Sequence, residues 1–253
     1  VPVTALPPLP RLIGHRGAAS LAPENTLAGF RKAAEVGARW VEFDVRLAGD
    51  GRCVLLHDDT LDRTTSGRGR ADLLGFEELR RLDAGAWFGP GFAGERIPSL
   101  EEAIELLAEL GLGANVEVKP GPGAEAATGK AVAETLRARW PKSLPTPLVS
   151  SFKEAALAAF RDAAPEFPRG LLFSAVPADW RARAEGLGCV TIHCNHRRLT
   201  RIQAREIIEA GFPILAYTVN DPARAEELWG WGVSTMITDC PDRLLAVMPA
   251  ALT

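Results

Sequence analysis

The stretch Trp40-Val41-Glu42-Phe43-Asp44-Val45-Arg46-Leu47 reads as a β-strand, rich in aromatic and β-branched residues. Side chains alternate along a strand, so Glu42 and Asp44 share one face while Val41, Phe43 and Val45 take the other. Two carboxylates on one face of a buried strand repel each other and lose hydration, and a bound cation removes both problems. On an exposed edge strand the same pattern would be a pair of solvated acids. Ala48-Gly49-Asp50-Gly51 then leads into Arg52-Cys53-Val54-Leu55-Leu56-His57, a Gly/Asp turn between two apolar arms that marks a β-hairpin.

Outward from this strand, seven more strand patterns fall at 11–14, 114–119, 147–150, 170–173, 189–193, 213–219 and 235–238. Amphipathic helical patterns lie between and after them, at 25–36, 99–110, 124–139, 153–163, 178–185, 200–210, 222–229 and 241–248. Punctuation agrees: Glu24-Asn25-Thr26 supplies a helix cap, Pro222 stands at a first helical position, and Gly37, Gly111 and Gly211 follow helices. Eight β/α units without a composition break predict an α/β fold of the (β/α)8 TIM-barrel type spanning 1–253 as one catalytic domain. A doubly wound open sheet is the alternative. The alternation breaks only at 58–98, rich in Gly and Arg, with a helical piece near Glu77–Leu82 and the aromatic pair Trp87-Phe88. So long a connection predicts an ordered, cap-like insertion near the site, after the hairpin that follows strand 2.

With 253 residues, 47% hydrophobic and 24% charged, the chain can bury a large core. A net charge of -3 supplies no basic field and disfavours nucleic acid as a partner. Cys53, Cys189, Cys194 and Cys240 form no CxxC pair and read as core residues of a reducing, cytoplasmic protein. His193-Cys194-Asn195-His196 resembles a metal cluster only superficially, because neighbours on a strand face opposite ways. No apolar run is long enough to cross a bilayer, and Val1 to Pro10 reads as an extended lead-in without the regions of a signal peptide.

The chemistry-bearing residues follow strand ends. Glu117 and Lys119 share one face of Asn115-Val116-Glu117-Val118-Lys119. If this strand neighbours 40–47, Glu117 reaches the space of Glu42 and Asp44, and three oxygen ligands select a hard cation, Mg²⁺ or Ca²⁺. His15-Arg16-Gly17 directly follows the first strand, where barrel active sites sit, and Arg16 suits a phosphate. His57 ends the hairpin; two histidines beside a cation-bound phosphate would give one acid and one base, although a lone His is more often structural. Three carboxylates against Arg16 and Lys119 leave one negative charge, which a divalent cation turns to one positive charge, suited to a monoanionic phosphodiester. No dinucleotide fingerprint, P-loop or nucleophile elbow is present, and the Arg-rich stretches 63–70 and 197–205 read as solvated faces.

Gly14-His15-Arg16-Gly17, Pro23-Glu24-Asn25-Thr26, Val41-Glu42-Phe43-Asp44-Val45, Leu56-His57-Asp58, Asn115-Val116-Glu117-Val118-Lys119, Ala216-Tyr217-Thr218-Val219-Asn220 and Ile237-Thr238-Asp239-Cys240-Pro241 together resemble the glycerophosphodiester phosphodiesterase family, in its order and over nearly the whole chain. The resemblance implies a TIM barrel that hydrolyses small-molecule glycerophosphodiesters to sn-glycerol 3-phosphate and an alcohol. It implies Glu42, Asp44 and Glu117 as ligands of one divalent cation, His15 and His57 as the acid/base pair, and Arg16 and Lys119 as phosphate contacts. Tyr217 stands where the family often has Trp and would line the substrate pocket. A lysophospholipase D-type reaction is the alternative activity, and it would need an apolar groove in residues 58–98, part of which Trp87, Phe88 and Phe92 could supply. A binding protein on a decayed barrel would have lost one of the five histidine and carboxylate positions, and all five are present.

Overall fold

The computed structural model describes residues 6–248. The first half of the expected lead-in therefore lies outside the described residues. The chain opens with β1 (Leu12–Gly14), α1 (Leu27–Glu35), β2 (Trp40–Leu47) and β3 (Cys53–Leu55), followed by the short α2 (Phe76–Leu79). Helices and strands then alternate: α3 (Leu100–Leu110), β4 (Gly113–Val118), α4 (Glu125–Arg139), β5 (Leu148–Ser151), α5 (Glu154–Ala163), β6 (Arg169–Phe173), α6 (Trp180–Gly186), β7 (Thr191–Asn195), α7 (Arg201–Glu209), β8 (Ile214–Tyr217), α8 (Pro222–Gly230), β9 (Thr235–Thr238) and α9 (Pro241–Leu245).

Closure decides between the two architectures left open by the sequence. β1 pairs in parallel with both β2 and β9, so the sheet has no free edge between its first and last parallel strands. The result is a TIM barrel of eight parallel strands, with β3 paired antiparallel to β2 as the hairpin predicted (Val45 opposite Leu55, Leu47 opposite Cys53). Alternate residues sort by face. Val41, Phe43, Val45, Val116 and Val118 pack against the outer helices. Trp40, Ile13, Leu148, Leu215 and Ile237 fill the barrel's interior, with Leu6 and Leu9 of the lead-in packed against them.

Helix ends follow local chemistry. Thr26 caps α1, its hydroxyl accepting from the Gly29 N–H at 3.1 Å. The helix starts two residues later than periodicity suggests because Asn25 has φ 55, outside the helical region. Ser99 and Thr200 form reciprocal capping boxes with Glu102 and Gln203. β7 begins at Thr191 rather than 189 because the Cys189 N–H is engaged by the exit of α6, donating to Ala184 O at 2.9 Å. All four cysteines are free and buried, and Cys194 packs outward while His193 faces inward. Among the described residues no helix is long and apolar enough to cross a membrane.

Residues 58–98 form ordered turns around α2, with Leu61, Ala71, Phe76, Leu79, Ala84 and Ile97 buried against Val54 and Leu56 of the hairpin. The segment thus has its own apolar seat on the hairpin.

Gly17 shows how tightly the first loop is built. It has φ 95, and a Cβ there would lie 2.7 Å from the carbonyl carbon of Gly29. Both the left-handed backbone and the contact with main chain exclude a side chain. Gly17→Ala should therefore destabilise the fold by roughly 1–3 kcal/mol. A denaturant midpoint equal to that of the unmodified protein would show that the loop relaxes freely.

Candidate active site

The strand reading places Glu42 and Asp44 on the inner face of β2, and the barrel brings β4 alongside in register: Asp44 lies opposite Glu117, and Glu42 opposite Asn115. All three carboxylates are buried, and one oxygen of each lies within 4.8 Å of the others. The triad stands on two strands, and the polar groups around it come from the loops that follow strands. Arg16 donates its backbone N–H to Glu42 Oε2 at 3.0 Å, and its Nε lies 3.3 Å from Asp44 Oδ2. Asn25 grips Asp44 twice, side-chain amide to Oδ2 (2.9 Å) and Asp44 N–H to Oδ1 of Asn25 (3.1 Å). Lys119 Nζ stands 3.3 Å from both Asp44 Oδ1 and Glu117 Oε1.

These contacts rank the three acids electrostatically. Burial pushes the Asp44 carboxyl up, but Lys119, Arg16 and His57 outweigh it and hold the group below the usual carboxylate range. Burial raises Glu117 to about 7, with Asp44 adding to the rise and Lys119 opposing it. Burial, then Asp44 and Glu117, raise Glu42 as well. The two cationic side chains are thus enough for one carboxylate and not for three. Glu42 Oε1 is also buried with no hydrogen-bond donor. A buried acceptor without a donor is costly. A hard divalent cation shared by three carboxylate oxygens satisfies that atom and the charge together, so the residues fit such an ion.

Both histidines reach this cluster, each oriented by an aspartate. His15 Nδ1 is 2.6 Å from Asp239 Oδ1, leaving Nε2 3.8 Å from Glu42 Oε2. Asp239 Oδ2 in turn accepts from the Asn220 side chain at 2.7 Å. His57 Nδ1 is 2.6 Å from Asp58 Oδ1. An aspartate on Nδ1 assigns the proton to that nitrogen and leaves Nε2 for chemistry. Burial draws the His57 imidazole below its ordinary value against the opposing charge of Asp44.

Two cavities flank the cluster. One, of about 390 Å³, is bounded by His57, Asp58, Glu117, Lys119 and Phe152. The other, of about 480 Å³, is bounded by His15, Arg16, Glu24, Trp87 and Asn220. Tyr217 stands at the end of β8, before a cis peptide to Thr218. Its hydroxyl donates to the Phe173 carbonyl at 2.8 Å, and its ring meets Phe152 edge-on at 5.8 Å.

Several polar groups of the site have no chemical role in the sequence reading, although all but Arg46 fall in its quoted motifs: Glu24, Asn25, Arg46, Asp58, Asn220 and Asp239. Arg46 had a local signal, since it continues the 42, 44 alternation onto the same face; it is buried and donates to the His57 carbonyl at 2.7 Å. The others lie on loops, where strand periodicity says nothing. His193 is buried inside the barrel against Thr191, outside the acidic cluster, and burial drives its pKa down to about 3.

Comparison with known proteins is consistent with this geometry. Residues 15–243 match the glycerophosphoryl diester phosphodiesterase family. A glycerophosphodiester phosphodiesterase of Caldanaerobacter subterraneus subsp. tengcongensis is 34% identical over 238 residues, covering 92% of this chain and 96% of that protein. The structure of an Oleispira antarctica phosphodiesterase in complex with the product sn-glycerol-3-phosphate superposes with a TM-score of 0.92 at 42% identity, covering 94% of this chain and 96% of that one. A glycerophosphodiester phosphodiesterase from Agrobacterium tumefaciens superposes with a TM-score of 0.78 at 30% identity, covering 94% and 100%. The chain belongs to the glycerophosphoryl diester phosphodiesterase family.

Proposed function

We propose that the protein hydrolyses glycerophosphodiesters to sn-glycerol 3-phosphate and an alcohol, with a divalent cation, Mg²⁺ or Ca²⁺, held by Glu42, Asp44 and Glu117. The observation that carries the reading is the pairing of a buried acidic triad with two histidines, each presenting Nε2 because an aspartate occupies its Nδ1. The product held by the 42% identical Oleispira antarctica relative supports the substrate class. When bound, the cation supplies Lewis-acid stabilisation to the phosphoryl oxygens. Arg16 offers a guanidinium and Lys119 an ammonium to the same phosphate. One histidine Nε2 accepts a proton from the attacking hydroxyl, of water or of the substrate's own glycerol. The other donates a proton to the departing alkoxide. Asp239 and Asp58 stabilise each imidazolium as it forms, the role an orienting carboxylate plays in other His–Asp pairs.

Residues 58–98 serve as a cap over the His15 side, through Trp87. A lysophospholipid substrate would need a continuous apolar groove there. Instead Trp87 and Phe92 each meet Phe88 edge-on, with centroids 5.6 and 5.4 Å apart, and the cavity that Trp87 alone of the three borders is lined largely by polar and charged side chains. This favours water-soluble diesters. The buried, unpaired cysteines fit the expected cytoplasmic location.

His15→Ala and His57→Ala should each lower kcat on glycerophosphocholine by about 10²–10⁴-fold. EDTA should abolish turnover, and Mg²⁺ or Ca²⁺ should restore it. Full activity in EDTA, or in either histidine variant, would sink the proposal.

A second consequence concerns stability. Without a cation, the raised pKa of Glu117, about 7 against an ordinary 4.5, contributes stability that is complete at pH below the ordinary value. That contribution is lost as pH rises through 7. Deprotonation over the same range strengthens cation binding. The rise in Tm on adding Mg²⁺ or Ca²⁺ should therefore grow between about pH 5 and pH 8. A cation-induced shift independent of pH would contradict the assignment of the triad.

A further inference from the structure

Arg63 belongs to the inserted segment, in one of the Arg-rich stretches that the sequence reads as solvated surface. Its guanidinium nevertheless spans both halves of the site. Nε and Nη2 donate to Asp58 Oδ2 (2.7 Å) and Oδ1 (3.1 Å), while Nη1 and Nη2 donate to Glu24 Oε2 (2.7 Å) and Oε1 (2.8 Å). The same Asp58 Oδ1 bonds His57 Nδ1 at 2.6 Å, and the same Glu24 Oε1 accepts from Arg16 Nη1 at 2.6 Å. One planar cation therefore reaches, through one carboxylate each, a proton-transfer histidine and the phosphate clamp.

The backbone that carries Arg63 is itself fixed. Leu61 and Thr64 are buried, and the Thr65 N–H and hydroxyl both donate to the Leu61 carbonyl (3.1 and 2.7 Å). Gly69 donates to Asp62 Oδ2 at 3.0 Å, and Thr60 bridges to Arg70 across the base of the loop. Little backbone entropy is left to lose when the guanidinium engages, and the cost is that of the side chain alone. His15 is served from a different place: its Asp239 is held by Asn220, which follows β8 of the barrel. The two histidines are thus oriented by different parts of the chain, His15 from the barrel and His57 from the insertion.

An arginine side chain 45% exposed is ordinarily a surface ion pair of little consequence. Two features set Arg63 apart. Both carboxylates are gripped by two nitrogens at once, a geometry that only a guanidinium provides. Both are also more buried than Arg63, at 24% for Asp58 and 10% for Glu24, and each already carries a second bond to a site residue.

We propose that Arg63 is a positioning residue: it holds Asp58 so that His57 keeps its tautomer and orientation, and it holds Glu24 so that Arg16 stays aligned for the phosphate. The inference rests on the functional reading above and makes the insertion part of the working site.

Turnover of glycerophosphocholine tests it, with wild-type activity measured first; an inactive wild type overturns the functional reading and this one with it. Given an active wild type, Arg63→Ala should lower kcat by roughly 10–100-fold, the usual loss when an outer hydrogen-bond partner is removed. Millimolar guanidinium should recover part of that loss, whereas urea and sodium chloride should not. In an Asp58→Asn background the same substitution should cost less, because its effect on His57 through Asp58 is already lost while the arm through Glu24 to Arg16 remains. Arg63→Lys keeps a charge but not the double fork, and should remain impaired; it carries the test should the alanine variant fail to fold. Wild-type kcat in Arg63→Lys or Arg63→Ala would overturn the proposal and leave the functional reading intact. So would an Arg63→Ala loss that guanidinium leaves unchanged and that multiplies fully with the loss from Asp58→Asn.

Discussion

Three carboxylates buried within 4.8 Å of one another at the mouth of a barrel constitute the constraint around which the rest is arranged. Burial and mutual repulsion oppose their ionisation. Arg16, Lys119 and the amide of Asn25 converge on Asp44, and that is enough to keep it ionised. Glu42 and Glu117 stay pushed upward. The protein thus builds a site with a standing deficit of positive charge and an unpartnered oxygen, the electrostatic complement of a divalent ion.

Local backbone conformation follows from that constraint. Arg16 and Asn25 have φ of 51 and 55, which costs an ordinary residue about 1–2 kcal/mol each. Both have a reason to be there. Arg16 places its N–H on Glu42 while its side chain reaches Asp44, and Asn25 clasps Asp44 from the start of α1. Gly17 then turns the chain against Gly29, where no Cβ fits. Strain concentrated in the first loop is offset by ordered contacts with β2.

The barrel contributes the acidic triad from adjacent strands, and the loops contribute everything that orients it. His15 is aligned by groups following β8 and β9. His57 is aligned by Asp58 and by Arg63 of the insertion, whose apolar seat on the hairpin keeps it in place. A rigid sheet with variable loops is how this fold ordinarily hosts chemistry. Here residues 58–98 supply side chains to the site, Asp58 against His57 and Arg63 against Asp58 and Glu24.

Much of this was written locally. The period of two in 40–47 fixed which side of β2 the acids occupy, because a strand's alternation is set by covalent geometry. The eight β/α units, the hairpin turn and the glycines after helices were legible for the same reason: each depends on a few neighbouring residues. Strand edges shifted by a residue or two, as at Thr191, because backbone hydrogen bonds to distant partners decide where pairing begins. Tertiary structure alone decided that β1 meets both β2 and β9, that β4 brings Glu117 beside Asp44, and that Asp239 reaches His15 across 224 residues. Those juxtapositions are fixed by closure of the barrel and by loop packing. Both depend on the whole chain at once, so no local pattern encodes them.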